Sequence, residues 1–307
     1  MPFAGSDASG DQIVAASRDR TVASIELLDL KAHRVVRTIA TLPSSGAQAT
    51  GSFDGHYAVW KEIDSPGDTD TFTIKVWNSV TDRVAVVGGS HKLPDGTAAP
   101  STWEDPVIAA GRAAWIEGTD ASGAGDLVLL DLVNGKRRMF HHGHPGWLAL
   151  TPSLVIWAES SRPGADTSMM AADVVTGAAA TVPEPLTGVR GAWGFVTDGN
   201  YWSWVAGDPA TLYGGRVGGA PRAIAAVPQG GGSPPVAVAA GIASVPVSAG
   251  GLLLANVGTG GWTYNPRASW ATNLSSALLV NKTTKKGGPD QSSMARVGPT
   301  AAAALAC

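Results

Sequence analysis

The sequence predicts an all-β fold, a six-bladed β-propeller of four-stranded antiparallel blades whose ring is closed by a C-terminal strand. Three observations predict it. Tryptophan recurs at Trp60, Trp115, Trp157 and Trp204, at intervals of 55, 42 and 47 residues; a period of about 40–50 residues is that of one propeller blade. Asp or Asn ends an apolar run at Asp29, Asn78, Asp131, Asp173 and Asn256, and Arg216 fills the gap between the last two, giving six marks in step with the tryptophans. No window holds a 3.6-residue apolar period between helix caps, so little helix is expected.

Composition agrees. Of 307 residues, 44% are apolar and only 15% charged, against about 25% charged in ordinary domains. With 39 Gly and 20 Pro, the chain suits many tight turns better than long polar helix faces. Its net charge of -3 and lack of a basic stripe argue against a nucleic-acid partner. Cys307 is the one cysteine, so an intrachain disulfide and a Cys-based zinc site are excluded. No apolar window reaches about 18 residues, so no membrane span is expected. The opening "MPFAGSDASGDQ" has no basic n-region and no apolar h-region, and no signal peptide is expected in it.

The elements follow in order. In the first unit "QIVAAS" reads as a second strand, and "MPFAGSDASG" is a poor first one. The third unit shows the full pattern: "DPVIAAG" as first strand, "RAAWIEG" as second, "DLVLLDL" as third and "KRRMFHH" as fourth. The Asp or Asn after each third strand can bond backbone amides two residues on, and a nearby Gly supplies positive φ, which makes a hairpin. Trp270 precedes Asn281 by eleven residues, the spacing of the other pairs. Trp270 to Val280 is expected as a return segment pairing with the first blade, which removes exposed sheet edges; an incomplete seventh blade is the alternative. The propeller is thus bounded at 1–282. Residues 283–307, Lys-rich, then Gly, Pro and Ser, then an Ala run, are expected as a flexible tail.

The unit formed by an apolar strand, Trp-x-Glu, a loop, and Leu-Leu-Asp before a Gly resembles repeats of the TolB-like six-bladed β-propeller group, a family of PD40/WD40-like repeats. "RAAWIEGTDASGAGDLVLLDLVNGKRRMF", Arg112 to Phe140, carries it best, and units two to four carry it more strongly than the others. "IKVWN" has a WD-repeat flavour, but the upstream Gly-His of that family is missing. The TolB resemblance implies a binding or scaffolding module of the bacterial cell envelope, extracellular or envelope-located, with a cytoplasmic setting as the alternative. It contains no catalytic motif, so no site residue carries over.

Five sets of residues bear chemistry. Trp60, Trp115, Trp157 and Trp204 stand mid-strand and recur once per unit, which favours packing between blades over ligand contact. Glu62, Glu117 and Glu159 stand two residues beyond three of them, on the same strand face. They lead into loops bearing Asp64, Asp68, Asp70, Asp120 and Asp126. Such oxygens suit calcium, but no regular calcium-loop pattern is present, and solvated loop charge is the ordinary interpretation. Trp103, Trp147 and Trp193 precede or begin first strands, which propeller geometry places around the channel mouth on that same face. There they can meet a sugar, a peptide or a cation, or plug the connection between blades. "HHGHP" offers His141, His142 and His144 for zinc or nickel, against an exposed polar turn.

No hydrolase elbow, metalloprotease helix or P-loop occurs. The function expected is therefore non-enzymatic recognition of a protein, peptide or carbohydrate ligand through the loop face near Trp103, Trp147, Trp193, Glu62, Glu117 and Glu159, without a required cofactor. The alternatives are a propeller enzyme at the channel mouth, either a metal-dependent hydrolase or a glycosidase or lyase, and a purely structural module.

Overall fold

In a computed structural model, the structure describes residues 3–18, 22–64, 71–99, 104–162, 166–207, 209–227, 236–247, 250–283 and 292–298. These contain β-strands and turns and no helix. The chain divides into two compact units, Met1–Thr181 and Val182–Cys307.

Unit 1 holds four antiparallel blades. Blade one is β1 (Gln12–Arg18), β2 (Ala23–Asp29) and β3 (Arg34–Thr41). Blade two is β4 (Gln48–Phe53), β5 (Tyr57–Ile63), β6 (Phe72–Asn78) and β7 (Arg83–Gly89). Blade three is β8 (Val107–Ala109), β9 (Arg112–Gly118), β10 (Gly125–Asp131) and β11 (Arg137–Gly143). Blade four is β12 (Pro145–Leu150), β13 (Leu154–Ser160) and β14 (Thr167–Asp173), with a single bridge, Ala172 to Ala179, where a fourth strand would run.

Unit 2 holds three more. Blade five is β15 (Ala192–Thr197), β16 (Tyr201–Ala206), β17 (Thr211–Arg216) and β18 (Arg222–Ala226). Blade six is β19 (Ala237–Ala239), β20 (Ile242–Pro246), β21 (Leu252–Asn256) and β22 (Trp262–Asn265). Blade seven is β23 (Ala268–Asn273), β24 (Leu278–Thr283) and β25 (Ser292–Val297).

Two expectations are corrected here. The blades number seven, not six, and they have three or four strands. Trp270 to Val280 falls in β23 and β24, which pair with one another and with β25 as a sheet of their own. The strand β25 comes from residues expected as tail. Its sequence, "SSMARV", has only a short apolar content, and the Lys- and Gly-rich stretch before it hid the hairpin. Blade one gains its missing first position from the N-terminal residues instead. The Phe3 amide donates to the Val14 carbonyl at 2.8 Å, and Ala4 exchanges bonds with Gly51 and Phe53 of β4. A short parallel bridge from Ala4 to Ser52 thus joins blades one and two.

The local marks hold. The side-chain oxygens of Asp29, Asn78, Asp131, Asp173 and Asn256 each accept the amides two and three residues on, at 2.7–3.1 Å. Each such turn substitutes a side chain for a backbone acceptor and closes a third-to-fourth-strand connection. Asp54 and Asp198 do the same between first and second strands.

The recurring tryptophans are packing. Trp60 lies with Phe3, Val14 and Ile25 of blade one, and Trp115 with Val59, Ile74 and Val76 of blade two. Trp157 lies with Ile116, Leu127 and Leu129 of blade three. A large flat ring from the second strand of one blade thus fills the wedge against the preceding blade. Trp204 is buried in unit 2 and stacks on Tyr213 at 5.7 Å with 10° between the rings. Fourth strands such as β3, β7 and β22 are mostly exposed.

Candidate functional site

The glutamates of the Trp-x-Glu repeat are not solvated loop charges. Glu62 and Glu117 are buried, at 2% and 1% exposure, and the side chain of Glu159 is 20% exposed. Strand alternation puts each carboxylate beside its own indole. Trp115 Nε1 donates to Glu117 Oε1 at 2.8 Å, Trp157 Nε1 to Glu159 Oε2 at 2.9 Å, and Trp60 Nε1 to Glu62 Oε2 at 3.3 Å. The remaining oxygen capacity is met by cations or amides. Lys75 Nζ pairs with Glu62 Oε1 at 2.6 Å. Arg137 and His91 both meet Glu117 Oε2, at 2.6 and 2.9 Å. His141 meets Glu159 Oε2 at 2.9 Å, and the His144 amide donates to Glu159 Oε1 at 2.9 Å.

In two cases the clasp joins successive blades, from His91 or His141 after or within one fourth strand to the glutamate of the next second strand. A glycine stands at each clasp. A Cβ on Gly88 would fall 2.4 Å from Glu117 Oε1, and one on Gly143 would fall 2.4 Å from Glu159 Oε1. Only glycine lets the fourth strand lie this close to the buried carboxylate. Satisfied in this way, a buried charge and a buried indole N–H both avoid the cost of lost hydration.

The histidines are not brought together. His141 and His142 alternate along β11, and His142 Nδ1 bonds Asp126 Oδ1 at 2.8 Å, away from Glu159. Asp120 uses its Oδ1 within its own turn, on the Ser122 hydroxyl and the amides of Ser122 and Ala124; the hydroxyl bond first, and then the amide bonds, hold its carboxyl below the usual range. Among the described residues, no three His, Cys, Asp or Glu side chains gather into a group able to hold a metal. Asp68, Asp70 and Trp103 lie outside the described residues. Trp193 is in β15, paired with Val205, and its side chain lies outside the description.

Trp147 is brought into a cluster that sequence analysis did not foresee. It is the extra residue of a β-bulge in β12, where Gly146 and Leu148 pair with consecutive residues of β13. Its φ is 38°, a left-handed conformation that costs a tryptophan of order 1 kcal/mol and is held only by its surroundings. One such support is its amide, which donates to Glu104 Oε1 at 3.2 Å. Glu104 and Asp105 enter β8 from the preceding connection. Lys61, 5% exposed, donates its Nζ to the Glu104 carbonyl at 3.1 Å. The Thr50 hydroxyl donates to Asp105 Oδ1, and the Ser52 hydroxyl holds the Pro106 carbonyl at 2.8 Å.

First strands or their approaches in blades two, three and four therefore supply one polar group in unit 1. Burial is the main influence on both carboxyls and pushes both upward, against lowering by hydrogen bonds and by Lys61. Glu104 is half-buried. Asp105 keeps much open surface although protein surrounds it closely, so solvent screens its shift more and Glu104 carries the larger consequence. A legible signal existed: two acids immediately before Pro106 at the entry to a first strand, beside a tryptophan already singled out.

The shift of Glu104 has a definite sign. A carboxyl raised in the folded state holds its proton to higher pH than in the unfolded chain. Stability is therefore lost as pH rises from the ordinary value of 4.5 through the raised one. Glu104→Gln keeps an acceptor for the Trp147 amide and removes the ionisation. The melting temperature of Glu104→Gln relative to the parent should rise between pH 4.5 and pH 7.5; a gap that narrows over that interval would show the carboxylate to be stabilising.

No family model matches the chain, and no curated protein matches it. Solved structures do. A prolyl endopeptidase is 13% identical with a TM-score of 0.61, over 98% of this chain and 47% of that one, so the chain spans about half the endopeptidase's length. An oligogalacturonate lyase in complex with manganese is 14% identical with a TM-score of 0.60, over 97% of this chain and 89% of that one. TolB from Acinetobacter baumannii is 12% identical with a TM-score of 0.43, over 93% and 78%. At these identities the likeness is one of fold, a β-propeller.

Proposed function

We propose that the chain is a non-enzymatic recognition module that binds a protein, peptide or carbohydrate ligand in an extracellular or cell-envelope setting. The contact surface is the first-strand end of blades two to four, around Trp147, Glu104 and Asp105. The observation that carries this is Trp147: a half-buried indole is kept in a left-handed bulge, its amide tied to a neighbouring blade's carboxyl, where a bulge re-aims a side chain. Fixed aromatic and acid groups on a rigid strand scaffold are what recognition of a sugar or a cationic side chain requires. Glu62, Glu117 and Glu159 serve this surface indirectly, by locking the blades that present it.

A second reading rests on Glu104 and Asp105. Two carboxyls raised by burial beside Lys61 are the elements of general acid–base chemistry. One experiment separates the two. Glycan and peptide panels are titrated into the protein by calorimetry, and each mixture is examined by mass spectrometry for turnover. The recognition reading expects saturable binding without product, weakened at least about tenfold by Trp147→Gly. That substitution also relieves the strained φ, so the variant should keep its melting temperature. Product formation lost in Asp105→Asn would establish the enzyme reading, and unaltered affinity of Trp147→Gly would overturn the first.

A further inference from the structure

The clasp on Glu117 lies beneath an open depression in the surface. This open depression, of about 410 Å³, is bounded by the end of β7 from Val87 to Gly89, by Ser90 and His91, and by Glu117 and Arg137. Glu117 forms the floor. Its Oε1 is taken by the Trp115 indole, and its Oε2 receives both Arg137 and His91. A guanidinium and an imidazole thus meet one carboxylate, and they are unequally buried: the Glu117 side chain is 2% exposed, those of Arg137 and His91 are 48% and 43%.

Arg137 offsets the carboxylate charge through Nη2, and its half-exposed side chain lines the depression, so the planar fork has donors left for a ligand. Ser90 Oγ accepts the Phe72 amide at 2.9 Å, so its hydroxyl proton is available to donate. Gly88 makes the arrangement possible, because any Cβ there would displace the Glu117 carboxylate from Arg137 and His91.

We propose that this depression is a site for a small oxyanion, a carboxylate or phosphate group, held by the outer edge of the Arg137 guanidinium with His91 and Ser90. Glu117 is the positioning residue that aims Arg137 and His91. Its own charge opposes the anion, but the carboxylate is buried and engaged at both oxygens by the Trp115 indole, Arg137 and His91. A planar guanidinium fork matches two oxygens of a carboxylate or phosphate. The site is separate from the Trp147 cluster and does not depend on the function proposed for it.

The test titrates inorganic phosphate, phenyl phosphate, acetate and citrate into the full chain, followed by amide chemical shifts and by calorimetry. Saturable binding is expected, with the largest shifts at the amides of Gly88, Gly89, Ser90 and His91. The separate arms distinguish phosphate from carboxylate as the preferred group. Arg137→Lys keeps a charge for Glu117 and removes the fork, and should weaken binding about tenfold. Absence of saturable shifts at these amides with all four anions in the parent protein would overturn the proposal without reference to any variant. So would full affinity in Arg137→Lys.

Discussion

Lys75→Met is expected to cost unit 1 about 3–5 kcal/mol, the range for removing one partner of a buried ion pair. The size follows from where the charges lie. Glu62 is almost wholly buried, its Oε2 has only the long 3.3 Å bond from Trp60, and Lys75 supplies the 2.6 Å contact on Oε1. Methionine preserves much of the aliphatic stem and leaves the carboxylate charge without its counterion. Chemical denaturation followed by circular dichroism measures the loss. The double variant Glu62→Gln with Lys75→Met supplies the control. Glutamine still accepts the indole N–H and carries no charge, so most of the loss should be recovered. If the double variant is as unstable as Lys75→Met, the loss came from packing of the lysine stem and not from an uncompensated charge.

Trp115→Ala is expected to cost a similar amount, about 3–5 kcal/mol, through a different cause. The ring is 1% exposed and packs among Val59, Ile74 and Val76 of blade two and Val128 of its own blade. Alanine leaves a cavity between two sheets, each held by its own hydrogen-bonded ladder, so neither collapses freely to fill it. Glu117 also loses its indole donor. Trp115→Phe separates the contributions. It retains most of the apolar contact and deletes the N–H, and should cost about 1–3 kcal/mol. Equal losses in the two variants, measured by denaturant titration, would mean that the hydrogen bond rather than the wedge sets the stability here.

These two sites show how far the sequence could be followed. Trp-x-Glu within one strand placed indole and carboxylate on the same face, and the structure has them bonded in three blades. The partners of those carboxylates were not legible. Lys75 is 13 residues from Glu62, His91 is 26 from Glu117, and nothing in the spacing marks them as neighbours. The expectation of solvated carboxylates failed for that reason: burial of an acid depends on a counter-group that another strand delivers. The missed cluster is a stronger case. Glu104 and Trp147 stand 43 residues apart and meet because a bulge turns the Trp147 amide toward the preceding blade.

What the sequence determined by itself are the properties set within a few residues: the strand period of two, the side-chain turns at Asp29, Asn78, Asp131, Asp173 and Asn256, and the tryptophan in each wedge of unit 1. Each follows from local sterics and hydrogen bonding, and each is repeated, so one instance checks another. Tertiary structure alone decided the blade count, the counter-groups of the buried glutamates and the position of Glu104 and Asp105 beside Trp147. Those depend on which strand edges pair across long stretches of chain. That pairing depends on hydrogen-bond registers between distant strands, so the places of β25 and of the N-terminal Phe3 and Ala4 are defined by the sheets beside them and not by their own residues.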